Sequence, residues 1–269
     1  MLLSVMQANA VVLDIEANLA TIDAAAQKAA GAGASLLLTP ELFPVGYSPL
    51  RIHAELDPVI LPSIREKLAN IARVRGIGLV YSLPAPAEDG GRYISATLLD
   101  AGGQVLLEYA KVHLFGDEER KAFSAATDAP AVVDFNGLSV SLLICYDVEF
   151  PEAVRAAAVR GAELLLVPTA LSAGYEAVPQ VLIRARALES QLHVAYANHS
   201  GHEDGCDFLG GSVVAGPDGS LTAAAGESAA LLFAEVLADP VRAAREDVPY
   251  LSDRRPEIYR EWEAPGRRG

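Results

Sequence analysis

The chain of 269 residues holds only two cysteines, Cys145 and Cys206. Two thiols in a chain this long do not make a disulfide framework, so a reducing, cytoplasmic setting is expected. Basic residues are scarce too, 21 against 35 acidic ones, for a formal net charge of −14. Such a surface repels phosphate backbones, and no basic patch interleaved with aromatics offsets it, so no nucleic-acid partner is expected. No uncharged apolar run approaches the roughly 20 residues of a membrane span, which excludes a helical membrane partner. The cationic start of a secretory signal is missing, since the first lysine is Lys28. Internal repeats and low-complexity linkers are absent as well. One domain over 1–269 is expected, with 241–269, rich in Arg, Asp, Glu and Pro, as an exposed C-terminal arm.

What is present is apolar and patterned. Hydrophobic residues make up 51% of the chain and charged ones 21%, the balance of a well-packed globular enzyme. Leu2–Gln7, Ser35–Leu38 and Gly76–Ser82 read as short buried strands. Asp14–Ala30 and Ser63–Val74 lie between them with apolar residues at three- to four-residue spacing, the mark of helices. Loop is expected from Thr39 to about Leu50. Hairpins are predicted at Tyr93–Leu99 with Val105–Val112, and at Val132–Phe135 with Leu138–Ile144, the latter turning on Asn136-Gly137. Helices over Pro151–Arg160 and Val178–Gln191 alternate with strands at Glu163–Val167 and Leu192–Asn198. A last hairpin spans Gly211–Ala215 and Ser220–Ala224. The fold class is therefore α/β, with sheets inside and helices outside.

Three residues carry most of the candidate chemistry. Cys145 ends an apolar strand at a tight turn into a helix begun by Pro151, a corner where a side chain can leave the core. On position alone it fits either a packed structural cysteine or a nucleophile. Glu41 follows a buried strand and Pro40 among apolar neighbours, so desolvation should raise its pKa toward that of a neutral-pH base. Lys111 lies in Tyr109-Ala110-Lys111-Val112-His113, where strand alternation puts Tyr109, Lys111 and His113 on one face. Aimed inward, Lys111 can stabilise an oxyanion; aimed outward, it is an edge charge.

Together these segments resemble the nitrilase superfamily of carbon–nitrogen hydrolases. The matching stretches are Thr39-Pro40-Glu41-Leu42 with Gly46-Tyr47, Lys111-Val112-His113-Leu114-Phe115, Cys145-Tyr146-Asp147 with Phe150-Pro151-Glu152, Arg184-Ala185-Arg186-Ala187-Leu188-Glu189, Asn198, and Gly210-Gly211-Ser212. The resemblance implies a four-layer αββα sandwich. It implies that Cys145 attacks a carbonyl carbon, that Glu41 moves protons, and that Lys111 and the Tyr146 N–H hold the oxyanion. Glu119, followed by Phe123, fits the second glutamate found in this superfamily. No metal or organic cofactor is implied. The partners implied are a small-molecule amide and a second copy of the chain, a homodimer or larger assembly, with the C-terminal arm at the interface.

Tyr146-Asp147 after the cysteine is similar to the amidase branches rather than to true nitrilases, and the whole set looks closest to bacterial aliphatic amidases. An ω-amidase or N-carbamoyl amidase is the alternative. Two rivals of other classes are a Cys-His hydrolase using His113 or His199, and a metal-binding module built on His199, His202 and Cys206.

Overall fold

In the computed structural model, residues 1–264 are described. Two six-stranded mixed sheets face each other. The first runs in the order β14-β1-β2-β3-β4-β5 and the second β13-β12-β9-β8-β7-β6. In the first, β1 (Leu2–Gln7), β2 (Leu36–Leu38) and β3 (Gly78–Pro86) are parallel. The strands β4 (Arg92–Leu99), β5 (Val105–Ala110) and, on the far edge, β14 (Ala230–Glu235) extend them antiparallel. The second sheet repeats the plan. Its parallel trio is β7 (Leu138–Leu142), β8 (Leu164–Pro168) and β9 (His193–Ala197). The flanking antiparallel strands are β6 (Val132–Phe135), β12 (Val213–Ala215) and β13 (Leu221–Ala224).

Strands buried on both faces must be apolar throughout. Leu36–Leu38 and Leu164–Pro168 meet that requirement, every residue being buried. Helices cover the outer faces. On the first sheet lie α1 (Ile15–Gly31) and α3 (Leu61–Arg75), packed on each other. Asp14 caps α1 by accepting from the Ala17 N–H, and Leu19, Ile22, Ala26 and Ala29 form its buried face. On the second lie α5 (Pro151–Val159) and α6 (Ile183–Ser190), the latter entered through a π-turn at Val178–Leu182. Since β1, β2, β3 and β5 touch strands of the opposite sheet, the layers are αββα, as expected.

Several boundaries differ from the sequence reading. The stretch before Leu50 is loop, but α2 (Pro49–Glu55) follows at once, begun by Pro49 at a first-turn position. The strand β5 stops at Ala110, so Lys111 and His113 lie past the last paired residue. Helix α4 (Gly116–Ala122) and the hairpin of β10 (Ser200–Glu203) and β11 (Cys206–Leu209) were not anticipated. Nor was β14, whose half-exposed edge position weakens its apolar pattern. The arm begins as a regular helix, α7 (Ala238–Asp247), with Val241 buried, and continues as α8 (Tyr250–Asp253) and α9 (Pro256–Glu263). Its residues 265–269 lie outside the described chain.

Candidate active site

Between the sheets, three chain segments bring their ends together. Glu41 follows β2, Lys111 follows β5 and Cys145 follows β7. The Lys111 ammonium is fully buried and donates to Glu41 Oε1 and to Glu119 Oε1, both at 2.8 Å. Glu119 comes from α4. Its Oε1 also accepts from the Tyr47 hydroxyl at 2.6 Å, and its Oε2 from the Phe115 N–H at 2.7 Å. An ammonium has three protons. Two point at the carboxylates, which leaves one for another acceptor.

One lysine between two carboxyl groups leaves the buried cluster short of positive charge. Burial accordingly raises the Glu41 pKa to about 7; Glu119 adds to the rise, and Lys111 opposes it. Burial also works against the Lys111 charge, but Glu41 and Glu119 carry its pKa well above the ordinary value. The Cys145 thiol sits beside Glu41 and draws its pKa down slightly. No well-formed hydrogen bond joins Glu41 Oε2 to any described group, although that atom is buried. Burial, and next the Glu41 carboxylate, push the thiol well above its usual range against the pull of Lys111. At rest the sulfur therefore keeps its proton, and a near-neutral carboxylate stands next to it.

The backbone at Cys145 is strained. Its φ is +47°, a left-handed conformation in a residue with a Cβ. Such a conformation costs on the order of 1–3 kcal/mol and persists only where the surroundings enforce it. Here the 3₁₀ turn Cys145–Glu149 is held from both sides. Asp147 accepts from the Tyr109 hydroxyl at 3.0 Å and from the His113 N–H at 2.8 Å, tying the turn to the Lys111 segment. Arg186 donates to the carbonyls of Val148 at 3.0 Å and Glu149 at 2.6 Å, capping its end. The Tyr146 N–H makes no hydrogen bond to the described chain and stays available beside the sulfur.

Behind Glu41 lies a support that sequence reasoning missed. His199 is fully buried, its Nδ1 2.6 Å from Glu203 Oε1 and its Nε2 2.6 Å from the Glu41 carbonyl oxygen. Glu203 also accepts from the Ala10 N–H at 3.0 Å and the Tyr47 N–H at 2.9 Å. Burial opposes the charge on both partners. Glu203 nevertheless raises the His199 pKa, and His199 lowers that of Glu203. Tyr47 reaches Glu119 because the chain turns tightly at Gly46. There φ is +73° and a Cβ would lie 2.6 Å from the Val12 Cα.

Among the described residues neither His113 nor His199 is hydrogen-bonded to Cys145, as a Cys-His hydrolase would need. Both His199 nitrogens are engaged as described, and His113 Nδ1 lies 2.8 Å from Asp147 with its ring stacked on Phe150 at 3.9 Å. His202 pairs with Asp207 on the exposed hairpin, away from the buried His199. Among the described residues no group of three His, Cys, Asp or Glu side chains could hold a metal ion. Beside Cys145, Tyr146 meets Phe115 edge-on at 5.2 Å, and Phe115 in turn meets Tyr175 at 5.9 Å.

Comparison with known proteins agrees with this geometry. Residues 2–246 match the carbon–nitrogen hydrolase family. The protein named "Hydrolase in pqqF 5'region" from Pseudomonas protegens is 42% identical over 92% of this chain and 86% of its own. An "(R)-stereoselective amidase" from Pseudomonas sp. is 35% identical over 82% of this chain and 79% of its own. The solved NitN amidase of Nesterenkonia sp. AN1 superposes with a TM-score of 0.92 at 47% identity, covering 97% of this chain and 99% of that one. A variant of that amidase carries the acetamide moiety of fluoroacetamide covalently on its active-site cysteine. With the fold shared along nearly its whole length, this chain belongs to the carbon–nitrogen hydrolase family.

Proposed function

We propose that the chain is an amidase that hydrolyses small aliphatic carboxamides to the acid and ammonia through a thioester on Cys145. One observation carries the reading: the buried, unpartnered Oε2 of Glu41 beside the thiol of Cys145, whose backbone is held at a positive φ. Sγ attacks the carbonyl carbon while its proton passes to Glu41. The oxyanion takes the third Lys111 proton and the Tyr146 N–H. Glu41 returns its proton to the nitrogen as the C–N bond breaks, and ammonia leaves. Water then attacks the thioester with Glu41 as base, the C–S bond breaks, and the thiolate regains a proton from Glu41. Glu119 holds Lys111 in line throughout.

The aromatic group of Phe115, Tyr146 and Tyr175, which adjoins the nucleophile through Tyr146, suits an apolar acyl group. Glu149, half-buried one turn past Cys145, offers no positive charge to anchor a substrate with a free carboxylate. Variants of the Nesterenkonia enzyme were solved with butyramide and with acrylamide, both small neutral amides. The test is a screen of acetamide, propionamide, butyramide, carbamoyl amines and 2-oxoglutaramate, with mass spectrometry of the enzyme trapped on a slow amide. Mass added at Cys145 and turnover of the simple amides is expected. Turnover of 2-oxoglutaramate alone would overturn the acyl-group assignment, and an unmodified Cys145 the mechanism.

A homodimer through α5, α6 and the C-terminal arm belongs to the same proposal. That face leaves Val159, Val181, Leu188 and, on α9, Trp262 exposed. The arm's root is fixed to its own chain, since Gln191 Nε2 donates to the carbonyls of Ala244 and Val248 at 2.6 Å each. α8 still touches α6 and its Leu251 packs against the core, so α9 is the segment left to serve a partner. Truncation after Asp247 is expected to give a folded monomer by light scattering, and a dimer that survives it would remove the arm from the interface. A nucleophile that must stay reduced also fits a cytoplasmic location.

A further inference from the structure

The helix that delivers Glu119 also walls a separate cavity of about 1060 Å³, lined by α2, α4, the start of α3 and the loop between β3 and β4. Its charge runs against that of the rest of the molecule. Arg65, Arg92, Arg120 and Lys121 all line it, in a chain whose formal net charge is −14. Among the described residues, neither Arg65, Arg92 nor Lys121 pairs with a carboxylate. Arg65 donates to the Pro84 carbonyl at 2.8 Å and Arg92 to that of His53 at 2.8 Å, contacts that fix the guanidinium groups without neutralising them. Arg120 donates to the Leu114 carbonyl at 3.1 Å and approaches the exposed Asp117 at 3.7 Å.

The acids of the same cavity are already engaged. Glu55 is gripped by Arg51 through bonds of 2.8 and 3.0 Å. Asp57 caps the Val59 N–H at 2.9 Å. Asp89 accepts from the Gly91 N–H at 2.9 Å and the Ser124 hydroxyl at 2.7 Å. With Glu55 neutralised by Arg51, four cations face the two carboxylates Asp57 and Asp89, neither of them within salt-bridge distance, and this cationic excess around a concave space makes a receptor for oxygen anions. We propose that this cavity binds a small multivalent oxyanion, a phosphorylated or polycarboxylate metabolite, at a site distinct from the one that holds Cys145.

Isothermal titration calorimetry on the full chain at constant ionic strength tests this, with pyrophosphate and citrate as probes and chloride as the control. Saturable binding of one equivalent of either probe is expected. The affinity should fall about a hundredfold or more in Arg65→Gln/Lys121→Gln, since each of the two lost charge-assisted contacts is worth about tenfold or more. Amide turnover should be unchanged in that variant, which also reports an intact fold. Lys121→Glu, at an exposed position, should weaken binding without risk to packing. A preference for pyrophosphate assigns a phosphorylated ligand, and one for citrate a polycarboxylate. Heats no larger than those of chloride, or equal affinity in both variants and the parent, would overturn the site.

Discussion

The loop after β2 and the helix α4 each deliver one glutamate to Lys111, and they treat it differently. Glu41 and Glu119 are equally buried and equally distant from Nζ, at 2.8 Å. Glu119 is held through both oxygens, accepting from Lys111, Tyr47 and Phe115. Glu41 has the lysine alone, and its second oxygen is unpartnered beside the thiol. Protonating Glu119 would weaken three bonds that its charge strengthens, whereas Glu41 Oε2 can take a proton where no hydrogen bond exists. In the proposed mechanism equal burial thus serves a fixed anchor in one region and a proton carrier in the other. The unequal hydrogen bonding, more than the distance to the lysine, is the ground for that proposed division.

Glutamine at each position breaks the comparison most sharply. Glu41→Gln keeps the shape and removes the proton acceptor, so kcat for an amide should fall ~10²–10⁴-fold. In the parent enzyme kcat/KM should fall as the pH drops through about 7, because Glu41 must be ionised to accept the thiol proton. That limb should vanish in Glu41→Gln. Glu119→Gln should cost less, about 10–10²-fold, through one weakened charge-assisted bond to Lys111. Its acid limb should survive but move to lower pH, since the Glu119 charge is one cause of the raised Glu41 pKa. Full pH–rate profiles of the three proteins decide. Identical limbs in parent and Glu41→Gln would remove Glu41 as the base.

The comparison also marks what was legible in the chain. Glu41, Lys111 and Cys145 each stand at or just past the end of an apolar strand, and strand ends are readable from hydrophobic runs. Most strands of the two parallel trios were placed to within a few residues for the same reason. Asp147, His199 and Glu203 were not given their roles, because each acts through partners far away in sequence. Glu203 accepts from Ala10, 193 positions away, and His199 meets the Glu41 carbonyl across 158. His199 read as a candidate base or ligand, and only its two engaged nitrogens show it as a brace. What pointed to it was its residue type and its ligand-like spacing to His202 and Cys206, which carries no information about the distant Glu41 carbonyl that it meets.

Smaller effects sharpen the contrast further. Tyr47→Phe removes one of the three donors to Glu119 and leaves Glu41 untouched, so kcat/KM should fall about tenfold with the acid limb in place. A limb displaced as far as in Glu119→Gln would mean that Tyr47 acts on Glu41 as well.

The brace behind Glu41 gives the smallest change in rate and the clearest one in stability. His199→Gln keeps a polar side chain but loses the charge that meets Glu203. The folded-state pKa of His199 is raised above its ordinary 6.5, so its contribution is complete below 6.5 and is lost as the pH rises through the raised value. That of Glu203 is lowered below its ordinary 4.5, so its contribution is present above 4.5 and is lost as the pH falls through the lowered value. Both act between those two ordinary values. The Tm advantage of the parent over His199→Gln should therefore be widest between about pH 4.5 and 6.5 and narrow on either side. Turnover at neutral pH should drop only a few-fold (roughly 1 kcal/mol), because the Glu41 carbonyl can still accept from the amide of glutamine. A Tm difference flat across that range would show a brace that works by packing alone, with Phe43 and Phe208 against the ring, and the His199–Glu203 charge pair would then have no part in holding the base in place.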